Sequence, residues 1–173
     1  MAGETQHYVA CLDLKGRSCL VVGDGAMARE KVDGLRASGA IVNVVAPQDY
    51  RTVDLDGNWL VIAATSDDEL NRRISAEAKR RRIFCNIADV PDLCSFILPA
   101  VHRIDPIAVA VSTGGASPAL AQRLRSEIAA VVGPEHARLA RELRDLRPWA
   151  REHLATYQER KSYFEQLVTE ALS

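Results

Sequence analysis

Cys19-Leu20-Val21-Val22-Gly23-Asp24-Gly25-Ala26-Met27-Ala28 is the stretch whose reading decides the fold. An apolar run ends in a glycine turn, and a helix-forming run follows. Gly23 permits a tight turn at the strand end. Gly25 has no Cβ, so a pyrophosphate can approach the main chain, and Ala28 is small enough for close helix–strand packing. The helix aims its first N–H groups at the phosphates. A G-x-G-x-x-A is weak alone. A strand before it and a helix after it give it the context of a dinucleotide-binding unit, against the plain alternative of a glycine turn with no ligand.

Outward from that stretch, Ser18 to Val22 reads as a strand, apolar throughout as a buried parallel strand should be. Upstream, His7 to Leu14 reads as a short edge segment with Tyr8, Val9 and Leu12 packed inward, and Lys15-Gly16-Arg17 as a turn. Met27 to Ser38 reads as a helix burying Met27, Val32 and Leu35, stopped by Gly39. Ile41 to Ala46 is a second strand ended by Pro47. Only Gln48 to Gly57 separates it from the next strand, Asn58 to Ala64. A parallel crossover needs roughly a dozen residues or more, usually with a helix. Either the sheet lacks an edge strand here or part of the chain is missing from this sequence.

Ser66, with Glu69 three residues on, predicts a capping box for a helix running to about Arg82. Its tail, Lys79-Arg80-Arg81-Arg82, suits the negative end of the helix dipole. Ile83 to Ile87 is another buried strand, with a polar loop, Ala88 to Asp92, at its carboxyl end. Ser95 to Ala100 and Ile107 to Val111 read as strands about a turn at Asp105-Pro106. Ser112-Thr113-Gly114-Gly115-Ala116-Ser117-Pro118 is a second glycine turn entering a helix, with Ser117 as cap and Pro118 as first helical residue. Beyond it, Leu120, Leu124, Ile128, Val131 and Val132 form an apolar stripe, and Gly133-Pro134 breaks the helix. Leu139, Leu143 and Leu146 continue to a joint at Pro148. Leu154, Tyr157, Phe164, Leu167 and Leu172 fall on a final helix. These stripes need a partner surface.

Composition fits an ordinary globular protein: 173 residues, 47% hydrophobic, 26% charged, formal net charge −1. Such a balance provides no global field to recruit nucleic acid or an anionic membrane. No apolar run approaches the roughly 20 residues of a membrane span. The start, Met1 to His7, has no apolar leader, so the cytoplasm is the default. Cys11, Cys19, Cys85 and Cys94 form no C-x-x-C, which suits reduced thiols. The histidines are scattered, and no structural metal site is expected.

Several stretches in order resemble one family. They are Cys19 to Lys31, Trp59-Leu60-Val61-Ile62-Ala63-Ala64-Thr65-Ser66-Asp67-Asp68, Phe84-Cys85-Asn86-Ile87-Ala88-Asp89-Val90-Pro91, Cys94-Ser95-Phe96-Ile97-Leu98-Pro99-Ala100, and Val109 to Ala121. Together they resemble precorrin-2 dehydrogenase, the NAD-binding module of siroheme synthase, over most of residues 8–130. The resemblance implies NAD-dependent oxidation of precorrin-2 to sirohydrochlorin, with Fe²⁺ insertion as a further activity of some members. Some members carry a fused methyltransferase. This sequence stops at Ser173, and a module without it is expected.

The resemblance places the catalytic aspartate on Asp89. Independently, Asp89 lies at the carboxyl end of a predicted central strand, where open α/β sheets take ligands. There a carboxylate can accept a proton as hydride leaves, and partial burial is expected to tune it. Asn86 orients Asp89 or closes a turn. Ser112 and Thr113 border the tetrapyrrole pocket in the family, with serine frequent at the position of Thr113. Gly114 and Gly115 offer N–H groups to a carboxylate arm. His102, Arg103, Arg123 and Arg125 are candidates for acidic side arms, and His102 for a second proton carrier. For the cofactor, family positions fall on Ala26, Met27, Pro47 and Gln48, and Thr65 is expected to face it. An acid that reads the ribose is expected after the second strand, but Ala46-Pro47 stands there and Asp49 comes late. The short Pro47–Leu55 connection predicts weaker support on the adenosine side with the central sheet intact. A homodimer interlocked through residues 99–130 is also implied.

The fold expected is α/β. A Rossmann-like parallel sheet over 1–98 is followed by a dimerisation segment over 99–130 and a helical tail over 131–173. The function expected is an NAD-dependent precorrin-2 dehydrogenase. The competing reading is a non-catalytic module that senses a dinucleotide or binds a tetrapyrrole.

Overall fold

The computed structural model describes residues 7–173; most of the polar start, at residues 1–6, lies outside them. The chain divides into two compact units, the first ending at Leu98 and the second spanning Pro99–Ser173.

The first unit contains β1 (Ser18–Val22), α1 (Ala26–Ala37), β2 (Ile41–Val45), β3 (Leu60–Ala63), α2 (Asp68–Arg81) and β4 (Phe84–Ile87). The sheet order is β2-β1-β3-β4, and every pairing is parallel. Strand side chains alternate between faces, and both faces of β1 are covered. Leu20 and Val22, with Val61, Ala63, Cys85 and Ile87, pack against Leu70, Ile74 and Ala78 of α2. Cys19 and Val21, with Leu60 and Ile62, pack against Ala28, Val32 and Leu35 of α1. That double burial is why β1 reads as an unbroken apolar run.

No helix joins β2 to β3. Two 3₁₀ turns, Pro47–Asp49 and Thr52–Leu55, carry the chain across, and Tyr50 and Leu55 fill the α2-side core. The sheet therefore stops at β2, as the short linker predicts for a sheet lacking an edge strand. The last turn of α2 is tied to this crossover. Glu77 accepts hydrogen bonds from Arg80 and Arg81, and Arg81 also pairs with Asp56.

Several local expectations are corrected. Tyr8 and Val9 are 94% and 79% exposed, Leu12 is exposed too, and only Leu14 of that segment reaches the core. A strand needs a partner strand, and the sheet order gives His7–Leu14 none. Met27 is exposed and Ala28 takes the buried position, because Ala28, Val32 and Leu35 fall at i, i+4 and i+7 on one helix face. The cap of α2 is Asp67, whose carboxylate accepts the Leu70 N–H at 2.9 Å; the helix begins one residue later than a Ser66 cap requires. Arg82 is in the left-handed conformation that ends α2.

The second unit opens with a hairpin, β5 (Ala100–Ile104) and β6 (Ile107–Val111), turning at a cis Asp105–Pro106 bond. The predicted strand at Ser95–Ala100 is displaced to Ala100–Ile104, because Cys94, Ser95 and Phe96 are spent bracing β4. Three helices follow: α3 (Pro118–Val131), α4 (Pro134–His153) and α5 (Tyr157–Ala171). Pro148 lies inside α4 and makes no joint. It removes one helical hydrogen bond, but Ala150, two residues on, is fully buried, and packing carries the helix through. The joint falls at Leu154–Thr156, so Leu154 caps α4, and α5 starts from Thr156, whose hydroxyl accepts the Glu159 N–H.

Two predictions follow for the α2 region. Asp67→Ala should cost about 1 kcal/mol in urea unfolding, whereas Ser66→Ala should leave the midpoint within error; equal effects would contradict the cap assignment. Hydrogen bonds from Arg80 and Arg81 hold the Glu77 carboxyl down to about 2, from 4.5. A carboxylate lowered on folding adds stability that is complete above its unfolded value and lost as pH falls through the folded one. The stability gap between wild type and Glu77→Gln should therefore be constant near neutral pH and close as pH falls from about 4.5 toward 2.

Candidate functional site

The parallel register brings the ends of all four strands of the first unit to one edge. Three main-chain hydrogen bonds extend the ladder by a residue: Gly23 N–H to the Val45 carbonyl (2.9 Å), Ala64 N–H to Val22 (2.8 Å) and Ala88 N–H to Ala63 (2.9 Å). The sites read from the sequence at Gly23–Met27, Pro47–Gln48, Thr65 and Asp89 all begin on this carboxyl edge, where open parallel sheets receive ligands. Two strand spacings, about 10 Å, separate the β1 turn from the β4 loop.

The two glycines of the β1 turn have different reasons to be glycine. Gly23 has φ +151, and a Cβ there would lie 2.7 Å from the Ala64 carbonyl oxygen and 3.0 Å from the Ala28 Cβ. It is fixed by the fold. Gly25 has an ordinary φ of −81, and a Cβ there would meet nothing within 4 Å. No packing demands it. Open space lies over it at the start of α1, where no side chain caps the helix and the first turn has no acidic residue. The helix N-terminus thus keeps free donors and positive potential. Ala26 and Met27 are exposed beside that space. Donors, polarity and room fit a dinucleotide pyrophosphate.

Pro47 and Gln48 form the 3₁₀ turn after β2, with Pro47 half-buried and Gln48 exposed, and Asp49 ends the same turn, exposed. Thr65 is not free to address a cofactor with its hydroxyl. Its Oγ1 donates to Asn71 Oδ1 (3.0 Å) and accepts the Asp67 N–H (3.1 Å), while Asn71 Nδ2 donates to the Thr65 carbonyl (3.1 Å). Asn71 is 2% exposed, and the sequence reading missed it. Its signal is a polar residue on the α2 face that also carries Leu70, Ile74 and Ala78.

Asp89 follows β4 with φ +61, a left-handed conformation that aspartate tolerates better than most residues. It is exposed, so the expected partial burial is absent. Among the described residues no hydrogen-bond or ion-pair partner holds its carboxylate. Its loop, in contrast, is held firmly. Val90 N–H donates to the Ile87 carbonyl, and Cys94 Sγ accepts the Ile87 N–H at 3.2 Å. The same sulfur lies 3.3 Å from the carbonyls of Ile87 and Val90, to one of which its S–H donates. Asn86, buried, donates from Nδ2 to the Phe96 carbonyl at 3.0 Å. Ser95 Oγ accepts the Cys85 N–H at 2.7 Å. Burial pushes the Cys85 thiol up to about 12 and raises Cys94 as well. Both thiols stay protonated near neutral pH, and Cys94 serves as a donor and acceptor. Cys94 and Ser95 were not read as site residues; only their place in an apolar run after Asn86 signals them.

In the second unit, the turn at Ser112–Ser117 is closed on itself. Thr113 Oγ1 accepts the Ser117 N–H (3.0 Å) and donates to the Ser117 carbonyl (3.1 Å). Ser112 Oγ accepts the Gly114 N–H (3.2 Å), so the expected offer of that N–H to a carboxylate is corrected, leaving Gly115. His102 Nε2 lies 2.9 Å from the Val132 carbonyl and donates to it, tethering β5 to the end of α3. That bond commits Nε2 as a donor and leaves Nδ1 as the ring's remaining nitrogen. Arg123 pairs with Glu127 at 2.6 Å, Arg125 is half-buried, and Arg103 is exposed.

The sheet and its carboxyl edge define a dinucleotide-binding α/β module. The chain belongs to the family described as putative NAD(P)-binding, whose model matches residues 10–100. A second model, described as sirohaem biosynthesis protein central, matches residues 105–130. The chain is 38% identical over 173 residues to a siroheme synthase of Methylobacillus flagellatus, covering 89% of this chain and 37% of that protein. It is 38% identical over 180 residues to a siroheme synthase of Escherichia coli strain SE11, covering 93% and 39%. It thus spans well under half the length of these curated relatives. Among solved structures, "SirC, precorrin-2 dehydrogenase" superposes with a TM-score of 0.74 at 24% identity, covering 96% of this chain and 93% of that one, and shares the fold.

The contrast between the glycines is testable. Gly25→Val, which puts a poorer residue at the N-cap of α1, should cost about 1 kcal/mol in urea unfolding and weaken NADH binding at least tenfold in a fluorescence titration, whereas Gly25→Ser should keep the stability and still weaken binding. Undiminished binding would remove Gly25 from the cofactor site.

Proposed function

We propose that this chain is an NAD-dependent precorrin-2 dehydrogenase that oxidises precorrin-2 to sirohydrochlorin in siroheme biosynthesis in the cytoplasm. The observation that carries the reading is one edge with two open features: unfilled space over Gly25 at the α1 N-terminus, and the exposed carboxylate of Asp89, which has no partner among the described residues. The siroheme synthase relatives supply the substrate class. When bound, the nicotinamide accepts a hydride. The chain's own work is to bind the pyrophosphate at Gly25, Ala26 and Met27, to support the adenosine side at Pro47 and Gln48, and to take a substrate proton on Asp89. Thr65 acts through the main chain that Asn71 fixes. Asn86, Cys94 and Ser95 position the Asp89 loop.

Residues 99–130 pair two copies into a homodimer. The hairpin of β5 and β6 supports this, because a two-stranded sheet is marginal alone and both its outer edges are unpaired among the described residues. Ser112, Thr113, Gly114, Gly115 and His102 border the tetrapyrrole; Gly115 supplies an N–H to a carboxylate arm, and His102 shapes the site through its tether. Fe²⁺ is a second substrate, with Asp89 accepting pyrrole protons as the metal enters.

The test mixes the protein with precorrin-2 and NAD⁺ and follows the sirohydrochlorin spectrum. Asp89→Ala should lower turnover at least a hundredfold while the circular dichroism and NADH affinity stay unchanged. A fully active variant would falsify the assignment of Asp89. Cofactor binding without turnover in the wild type would favour the sensing module instead. Adding Fe²⁺ to the product tests metal insertion.

A further inference from the structure

We propose that β2 is a self-association edge, through which two copies of this chain join their sheets antiparallel about a two-fold axis at Asn43. The proposal is independent of the dehydrogenase reading and of pairing through residues 99–130. Among the described residues β2 has one strand neighbour, β1. Ile41 N–H donates to the Arg17 carbonyl and the Val45 carbonyl accepts the Gly23 N–H, both at 2.9 Å, so the main-chain groups of Ile41 and Val45 face β1. Strand main-chain groups alternate sides. Asn43 therefore also faces β1, and Val42 and Val44 present their N–H and carbonyl groups outward.

Edge strands are normally blunted by lysine, proline, a bulge or a covering segment. The run Ile41-Val42-Asn43-Val44-Val45 has no charge, and Ile41 and Val44 are 56% and 50% exposed. The opposite edge, β4, is sealed by Ser95 and Cys94 on the main-chain groups of Cys85 and Ile87.

The occupant is identified by the strand's own symmetry. Read in either direction, β2 is two aliphatic residues, one asparagine and two aliphatic residues. Pairing about Asn43 sets Val42 opposite Val44 of the second copy, and Val44 opposite its Val42. Every outward N–H and carbonyl of those valines is then satisfied. Ile41 meets Val45 across the pair. The two Asn43 residues form the non-hydrogen-bonded pair, with Cα atoms about 4.5 Å apart, close enough for their side-chain amides to bond each other. No position sets a charge or an unmatched polar group against an apolar one.

Two variants test this. In a Cys11→Ser background, Asn43→Cys places two thiols within the disulfide range of about 4.4–6.8 Å between Cα atoms. Mild oxidation should cross-link it at least tenfold faster than Asp33→Cys, a control on the exposed face of α1. Val44→Lys, at a half-exposed position that tolerates the side chain, should halve the mass seen by light scattering while thermal unfolding and circular dichroism are retained. An assembly held by residues 99–130 alone would keep its mass in Val44→Lys. Cross-linking no faster than the control, or an unchanged mass, overturns the proposal. The cross-linking arm reads the edge even if the lysine variant folds poorly.

Discussion

The close approach of Gly23 to Ala64 and Ala28 sets the geometry on which the rest of the first unit depends. β1 and β3 are adjacent, and the chain leaving β1 turns under the chain leaving β3. With only 2.7 Å between a Cβ on Gly23 and the Ala64 oxygen, no other residue fits without moving the main chain. The same contact draws α1 down so that Ala28, not a larger residue, meets the turn. The N-terminus of α1 follows directly at the carboxyl edge, and two residues after the crowded Gly23 the space over Gly25 is open. One glycine builds the turn, and the other leaves it usable.

The parts of the fold that were legible from sequence are those where local chemistry and tertiary packing agree. The apolar run into Gly23, the stop at Gly39, and the Ser117–Pro118 helix entry each have one economical structure, and Ser117 does accept the Leu120 N–H. Misreadings cluster where a local signal is overridden. Met27 is apolar but sits one position off the i, i+4, i+7 stripe of Ala28, Val32 and Leu35, so the helical period itself puts Ala28 on the buried face. Tyr8 and Val9 have strand character, but no partner strand is in register with them. Pro148 is a helix breaker that packing at Ala150 overrules. Ser66 and Asp67 are both competent caps, and only the position of the first helical turn chooses between them.

The candidate site divides in the same way. Residues whose role belongs to the main chain, such as Gly23 and Gly25, are visible in sequence because few residues can replace them. Roles that arise from side chains meeting across loops are not visible. Asn71 locking Thr65, and Cys94 bridging Ile87 and Val90, need the folded loop to bring them together. Thr65 shows the converse: its hydroxyl is a suitable functional group in a suitable place, but the protein already uses it internally as donor and acceptor.

The Asp89 loop shows what those internal bonds accomplish. The role proposed for Asp89, taking a proton from a bound substrate, asks for a carboxylate that is open to solvent and fixed in direction. Burial would fix it at the expense of access, and a free loop would do the reverse. Here the side chain is exposed and its main chain is pinned on both sides by one sulfur, whose pKa is raised by burial so that it retains its S–H. The residue itself takes a left-handed conformation, costing about 1–2 kcal/mol for an ordinary side chain and less for aspartate. That strain persists only because Cys94, Ser95 and Asn86 over-determine the loop. Cys94 and Ser95 also close the β4 edge of the sheet. A single short segment therefore performs two tasks, stopping strand addition at β4 and holding Asp89 open. Among the described residues the β2 edge has no such segment, and the 3₁₀ crossover that follows it places Tyr50 and Leu55 in the α2-side core.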